Sequence, residues 1–501
     1  GLIYEEKPTF ALMDGDYYTL NQTGSEWSYA GLLYRVNYSF KDRYLMEISG
    51  RYDGSSKFPS NQRFGFFPSG QLGWIVSDES FMNGTKKWLD MFKLRFTAGS
   101  LGNGAVDPFL YMSNMTIGRT SAIIDGALQS YTYAPSNVPS TLTWETNTTY
   151  DAGFDFLALR NRLSFVFDYY HRYTRDMFTI GVELPAVFGS TVPKGNNANL
   201  KTKGWEVSLQ WRDSFNVAGK PLNYSIKGML WDSRSWVTKY NNVLKSLGSG
   251  HTANYYEGME IGEIWGYHIE GLFRDQDDIN NHADQSAIRV STQNILAPGD
   301  LKFADLNDDG AINNGANTAD DPGDRRIIGN TSIRYNYGVN LDVSWNGIGL
   351  SAVIQGIGKR DWYPHTESAY FWGQYDRPYS FMLQLHTTDN VWTEENQNFD
   401  AYWPRYRGYL SGSGKSMGVV NDRYLQNASY VRLKNMQVDY SFKDKICNLL
   451  HVENLRIYIA GENLWTWSPM FKVTRNFDPE VIGAGDSDFR STAGTDGDGY
   501  G

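Results

Sequence analysis

The feature that most constrains this chain is a strict two-residue alternation of apolar and polar side chains. It opens in residues 33–52, LYRVNYSFKDRYLMEISGRY. Tyr34, Val36, Tyr38 and Phe40 share one face, and Arg35, Asn37 and Ser39 the other. Alternation of this period is the mark of a strand with two unlike faces. It recurs near 44–52, 66–76, 92–100, 146–157, 162–174, 204–212, 222–232, 333–345, 349–358, 430–442 and 454–464, so that with 32–40 about twelve strands are predicted. The clearest case sets Tyr335, Tyr337, Val339, Leu341, Val343 and Trp345 against Asn336, Gly338, Asn340, Asp342 and Ser344. Short helices are predicted only near 79–90 and 444–450. Two folds satisfy the alternation. In a soluble sheet the apolar face packs a core, and in a membrane barrel it meets lipid.

The connections separate the two. Long links, roughly 52–66, 100–146, 174–204, 232–333 and 358–430, alternate with short ones such as Lys41-Asp42-Arg43, Asn161 and Asn346-Gly347-Ile348. Recurrent long links on one side only are unusual in compact soluble domains. Outer-membrane barrels have this asymmetry, with short periplasmic turns and long external loops. The polar faces are rich in Asn, Gln, Ser, Asp and Gly, and aromatic residues gather toward strand ends as in an interfacial girdle. The fold class expected is therefore all-β, a transmembrane antiparallel β-barrel with long extracellular loops.

Composition removes other classes. Aromatics make up 15% of the 501 residues, and 46 basic residues face 56 acidic ones, a net charge of -10. An acidic chain without a basic run lacks the surface that nucleic acid requires. No stretch reaches 18 consecutive apolar residues, which excludes a transmembrane helix but not strands of about 9–11 residues. The one cysteine, Cys447, allows no intrachain disulfide. The seven histidines are scattered without metal spacing, and no nucleophile elbow or phosphate loop is present. No enzyme is expected.

Several motifs in fixed order resemble the barrel region of SusC/RagA-type TonB-dependent outer-membrane transporters. They are RYDGSSKFPSNQRFGFFPSGQLGWIVSDESFM (51–82), FKLRFTAGSLGN (92–103), EGMEIGEIWGYHIEGLF (257–273), PGDLKFADLNDDGAIN (298–313), DRRIIGN (324–330), NDRYLQNASYVRLKNMQVDYSF (421–442) and LRIYIAGENLWTWSP (455–469). The resemblance implies that residues 1–501 are the C-terminal portion of a 22-stranded barrel, with the N-terminal plug and the last strand not present in this sequence. It implies a location in the outer membrane of a Gram-negative, Bacteroidota-like cell. It implies a SusD-type surface lipoprotein acting as a lid, TonB engaging the plug, and oligosaccharides or peptides as cargo, with a dimer of barrel–lid pairs as a further expectation. The alternatives are a passive porin or scaffold barrel, and a soluble secreted all-β glycan-binding module. The module predicts that Tyr335, Val339 and Trp345 are buried against protein, whereas the barrel turns them to lipid.

Two constellations are candidate sites. In DLNDDG, Asp305, Asn307 and Asp309 fall at i, i+2 and i+4 with Gly310 next, the first half of an EF-hand-like calcium loop. Ala311 would add its carbonyl and Asn313 a ninth-position ligand. The twelfth position holds Ala316 where a bidentate Glu belongs. Resemblance supplies Asp324 as the replacement acid, with Asp320 and Asp321 as substitutes. The ion expected is structural Ca2+, against the plain reading of an Asx-rich turn. The second constellation is DWYPHTESAYFWGQYDRPY (361–379), whose Trp362, Trp372 and Tyr375 are candidate substrate-binding rings, since sugars present flat C–H faces to aromatics. The competing reading is packing between long loops.

Overall fold

The computed structural model describes residues 25–482, apart from 114, 116, 125, 134, 136, 140–141, 182–191, 249–253, 292, 367, 381, 384 and 387–388. Twelve strands form one sheet. They are β1 (Tyr29–Phe40), β2 (Tyr44–Ser55), β3 (Phe64–Ile75), β4 (Leu89–Asn103), β5 (Glu145–Ala158), β6 (Leu163–Ile180), β7 (Lys194–Val217), β8 (Lys220–Lys239), β9 (Arg334–Trp345), β10 (Ile348–Lys359), β11 (Tyr430–Ser441) and β12 (Arg456–Trp467). Each pairs antiparallel with the next, so sequence order is spatial order. All twelve predicted strands are present. The largest extensions are in β7 and β8, which run beyond 204–212 and 222–232 because they keep pairing with each other past the span a membrane needs.

The short turns lie at one end. Asn346 and Gly347 both have positive φ (49° and 92°) and join Trp345 to Ile348, as a two-residue hairpin requires. Between β3 and β4 the helix expected near 79–90 is replaced by two 3₁₀ turns, Val76–Asp78 and Ser80–Thr85. Glu79 between them is extended. Its carboxylate accepts hydrogen bonds from Tyr44 Oη at 2.6 Å, Trp74 Nε1 at 3.1 Å and Arg43 Nη1 at 3.0 Å, which holds the chain out of helical geometry. The second expected helix forms, over Asp444–Leu449.

Register sorts the two faces. Lys227, Asn340 and Val353 are directly paired, and so are Ser225, Asp342 and Ser351, which places the polar rows together. On this face Arg95 of β4 reaches Asp155 of β5 and Asp168 of β6, both at 3.1 Å. The opposite face is apolar and uncovered. Leu72 and Phe96 are each 56% exposed and Tyr150 is 54% exposed, and no second sheet packs on them among the described residues. Contiguous apolar surface on this scale is incompatible with a soluble sandwich. The module reading required Tyr335, Val339 and Trp345 to be buried; Tyr335 is 43% exposed and the other two are half-buried. In a barrel this face meets hydrocarbon and the polar face lines the lumen.

The long connections sit at the other end and are not structureless. Segments 240–333, 360–429 and 468–482 share one hydrophobic core that includes Phe303, Ile312, Trp372, Trp392, Trp403, Tyr424 and Phe477. A smaller cluster, Phe58, Phe67, Val106, Leu142 and Trp144, closes the rim above β3 to β5. Between β4 and β5 the sequence gives no strand signal, yet Ile117–Ile124 and Ala127–Thr132 pair as a hairpin.

Candidate functional site

The body on the long-connection rim is assembled from the motifs of residues 257–330 and 421–442. EIWGY (Glu263–Tyr267) pairs antiparallel with RRIIGN (Arg325–Asn330), and IEGL (Ile269–Leu272) pairs with LKF (Leu301–Phe303). Asp422, from the NDRY motif, ties them together. Its Oδ1 accepts from the Ile269 amide at 3.1 Å, and its Oδ2 lies 2.5 Å from His268 Nδ1 and accepts from Arg326 Nη2 at 3.2 Å. Its neighbour Asn421 is fully buried and donates to Tyr363 Oη and the Val419 carbonyl, both at 2.9 Å. In the PGD motif, Gly299 has φ +86° and its missing side chain faces the Trp392 ring, which a Cβ would approach to 2.2 Å. Only glycine fits there. Asp300 beside it is 1% exposed and is bound by Arg407 Nε and Nη2 at 3.1 and 2.9 Å. Burial lifts its carboxyl above the ordinary range against the opposing pull of Arg407.

The three aromatic candidates are in this core, and their expected role is corrected. Trp362, Trp372 and Tyr375 are 8%, 0% and 1% exposed. Trp372 packs edge-on against Phe371 and Tyr424, with centroids at 4.7 and 5.4 Å, and Tyr375 stacks on Trp403 at 5.3 Å. A sugar must reach a ring face to stack on it, and these faces are occupied by other rings. They brace the body. His386 packs on Trp403 at 4.7 Å, and burial drives its imidazole pKa down to about 4.

The DLNDDG turn is ordered by its own side chains. Asp305 Oδ2 accepts from the Gly310 amide at 2.8 Å, Asp309 Oδ1 from the Ala311 amide at 2.8 Å, and Asn307 Nδ2 donates to Asp309 Oδ2 at 2.9 Å. The Ala311 amide, with the Asn307 side chain, holds the Asp309 carboxyl below the usual range. Asn313 Nδ2 donates to the Ala311 carbonyl at 3.0 Å. Asp324 stands apart from this group of contacts. It is fully buried, and its two oxygens accept the amides of Leu306 and Asn313, each at 2.8 Å, so it closes the base of the loop. Among the described residues no three His, Cys, Asp or Glu converge on a point.

Sequence reasoning missed a clamp. Residues 468–482 fold back over the rim, where Arg432 of β11 binds Asp478 and Glu480. Lys434 reaches Glu480 at 2.8 Å, Gln355 of β10 reaches it at 2.9 Å, and Arg360 donates to the carbonyls of Pro479 and Ile482. Arg432 is 2% exposed. An Arg and a Lys two apart at a strand end are ordinary surface residues by pattern, and only the fold supplies the acids 46 residues later.

Residues 4–285 match the family model described as "TonB dependent receptor-like, beta-barrel". The chain belongs to this family. Its type is that of the SusC/RagA transporters. It is 26% identical over 473 residues to TonB-dependent receptor P3 of Formosa agariphila, a match covering 91% of this chain and 42% of the relative. It is 31% identical over 232 residues to TonB-dependent receptor SusC of Bacteroides thetaiotaomicron, covering 46% and 22%. Among solved structures, the RagAB peptide transporter superposes with a TM-score of 0.68 at 21% identity, over 89% of this chain and 44% of that one. The chain thus spans about half the length of the curated relatives it matches. The twelve strands are barrel wall, their apolar face is the lipid face, and the long-connection body sits on the rim opposite the short turns.

Proposed function

We propose that this chain forms the wall and outer rim of a TonB-dependent importer that takes up oligosaccharides or peptides with a SusD-type lipoprotein lid. The observation that carries the reading is the rim body. Long links that share one aromatic core and are clamped to β10 and β11 form a rigid platform rather than independent loops. A lid would close on such a platform. The solved RagAB structures, described as a peptide transporter and importer, support it at the level of fold. The protein does no covalent chemistry in this scheme: the lid captures cargo, and TonB, acting on a plug, opens the lumen. The test is uptake of labelled oligosaccharide and peptide pools by cells carrying the full-length protein, with and without TonB and with the lid gene deleted. Uptake that requires both supports the reading. Uptake that survives loss of TonB assigns a passive barrel.

The DLNDDG loop is further proposed to bind structural Ca2+ through Asp305, Asn307, Asp309 and the Ala311 carbonyl, with Asn313 adjacent and Asp324 holding the loop shut. The residues fit a hard oxygen-liganded cation in one respect above all: Asp305 Oδ1 is buried without a hydrogen-bond partner. The ion would pin the loop against the strand at Leu301–Phe303. Calcium titration of the full-length protein should slow proteolysis within 301–330, and Asp305→Asn should abolish that protection. Equal protease sensitivity with calcium and with chelator contradicts the site.

A further inference from the structure

The lipid face carries a groove that a smooth barrel wall does not need. It has a volume of about 610 Å³ and crosses β2 to β6. Gly70 of β3, Ala98 of β4 and Ala152 of β5 form its floor, and Phe96 and Tyr150 stand at its walls. The register confirms that these share one face, since Gly70 pairs with Ala98, Ala98 with Tyr150, and Phe96 with Ala152. Elsewhere along these strands the same face bears large side chains such as Trp74 and Phe154. The groove spans four strand spacings, roughly 19 Å, the reach of one extended fatty acyl chain.

At its far end the groove meets Tyr169 and His171 of β6, joined by a hydrogen bond of 2.9 Å between Tyr169 Oη and His171 Nε2. Directly beyond lie two lysines of β7. Lys203 pairs with His171, and Lys201 pairs with Tyr173 and lies 5.9 Å from that ring. Neither lysine makes an ion pair among the described residues, in a chain of net charge -10. Two acids near them are already engaged: Asp232 accepts from Arg334 Nε at 2.5 Å, and Glu260 from Arg234 Nε at 2.7 Å. The height is that of the outer interface. Trp211 on the same strand bonds Tyr224 at the short-turn end, and Lys201 lies about ten residues further up, one hydrocarbon thickness for a tilted strand.

We propose that this groove and its lysine pair form a binding site for a phosphorylated, acylated glycolipid of the outer leaflet. One acyl chain would lie over Gly70, Ala98 and Ala152, and a headgroup phosphate would sit between Lys201 and Lys203. The site goes beyond the import reading and depends only on the chain being barrel wall. Apolar contact alone would accept any lipid. Two cations without an ion pair at the groove's upper end select an anionic headgroup.

The test uses the full-length protein in nanodiscs of phosphatidylcholine mixed with lipid A, released and weighed by native mass spectrometry. The wild type should retain lipid A in preference to phosphatidylcholine. Lys201→Glu with Lys203→Glu should lower that retention at least tenfold. Gly70→Leu should lower it similarly by filling the floor, and it should fold, because a Cβ at Gly70 meets only the Glu47 carbonyl, at 3.9 Å. Retention unchanged in either variant, or equal retention of phosphatidylcholine, overturns the site. Co-purification of the lid lipoprotein with both variants keeps a failure here separate from a failure of the import reading.

Discussion

Placing an arginine at Val339 tests which face meets lipid. Val339 is paired with Gly228 on one side and Ile354 on the other, and its neighbours on that face of β9 are Tyr337 and Leu341. None is acidic, and nothing lies within 4 Å of where a Cβ on Gly228 would be. An arginine there has no partner and no cover. Trp345, six residues on, donates to the Val217 carbonyl at 3.2 Å and marks the short-turn interface. Half of a span of about 9–11 residues then puts Val339 near the bilayer midplane, where Arg costs about 2–4 kcal/mol. That is about thirty- to a thousandfold in the folding equilibrium. Asn340 points the other way, between Lys227 and Val353 in the lumen. Asn340→Arg meets water and one like charge, worth about 0.2–1 kcal/mol. The assay is denaturant unfolding of the full-length protein in phosphatidylcholine vesicles, followed by heat-modifiable gel migration. Equal costs for Val339→Arg and Asn340→Arg, or a larger cost at Asn340, would refute the orientation.

Other outcomes follow from the rim body. Trp372→Ala should cost the body about 3–5 kcal/mol, because a fully buried indole leaves a cavity among Phe371, Trp403 and Tyr424; limited proteolysis should open segments 360–429 while the barrel keeps its heat-modifiable migration. His386 has a folded pKa of about 4 against an ordinary value near 6.5. The unfolded body therefore takes up the proton first, so stability is full above pH 6.5 and falls as pH drops from 6.5 toward 4. His386→Phe should flatten that stretch of a proteolysis-versus-pH profile. Asp478→Asn leaves the buried Arg432 short of charge and should release residues 468–482 at a cost of about 3–5 kcal/mol, read as faster hydrogen exchange confined to that segment.

The strands were legible because barrel wall imposes one rule on every residue. Each side chain faces either lipid or lumen, and the period-two pattern of 333–345 or 430–442 records that rule without interference from a core. The helix expected at 79–90 does not form because Tyr44 of β2 and Trp74 of β3 hold the Glu79 carboxylate. The site was less legible for the same reason. Trp362, Trp372 and Tyr375 look like a ligand surface in a polar loop, and only the packing of segments 263–303 and 421–428 around them makes them a core. The Asp422 junction and the Arg432 clamp join residues more than 40 positions apart, and no local pattern encodes such pairings.

The most direct measurement of the central claim is recovery of the native full-length protein from detergent-solubilised outer membrane, with mass spectrometry of what accompanies it. The protein is expected in the membrane fraction with a surface lipoprotein of the lid type in equal amount. A barrel recovered alone would contradict the importer reading, and a protein found outside the membrane fraction would contradict the assignment of the apolar face to lipid.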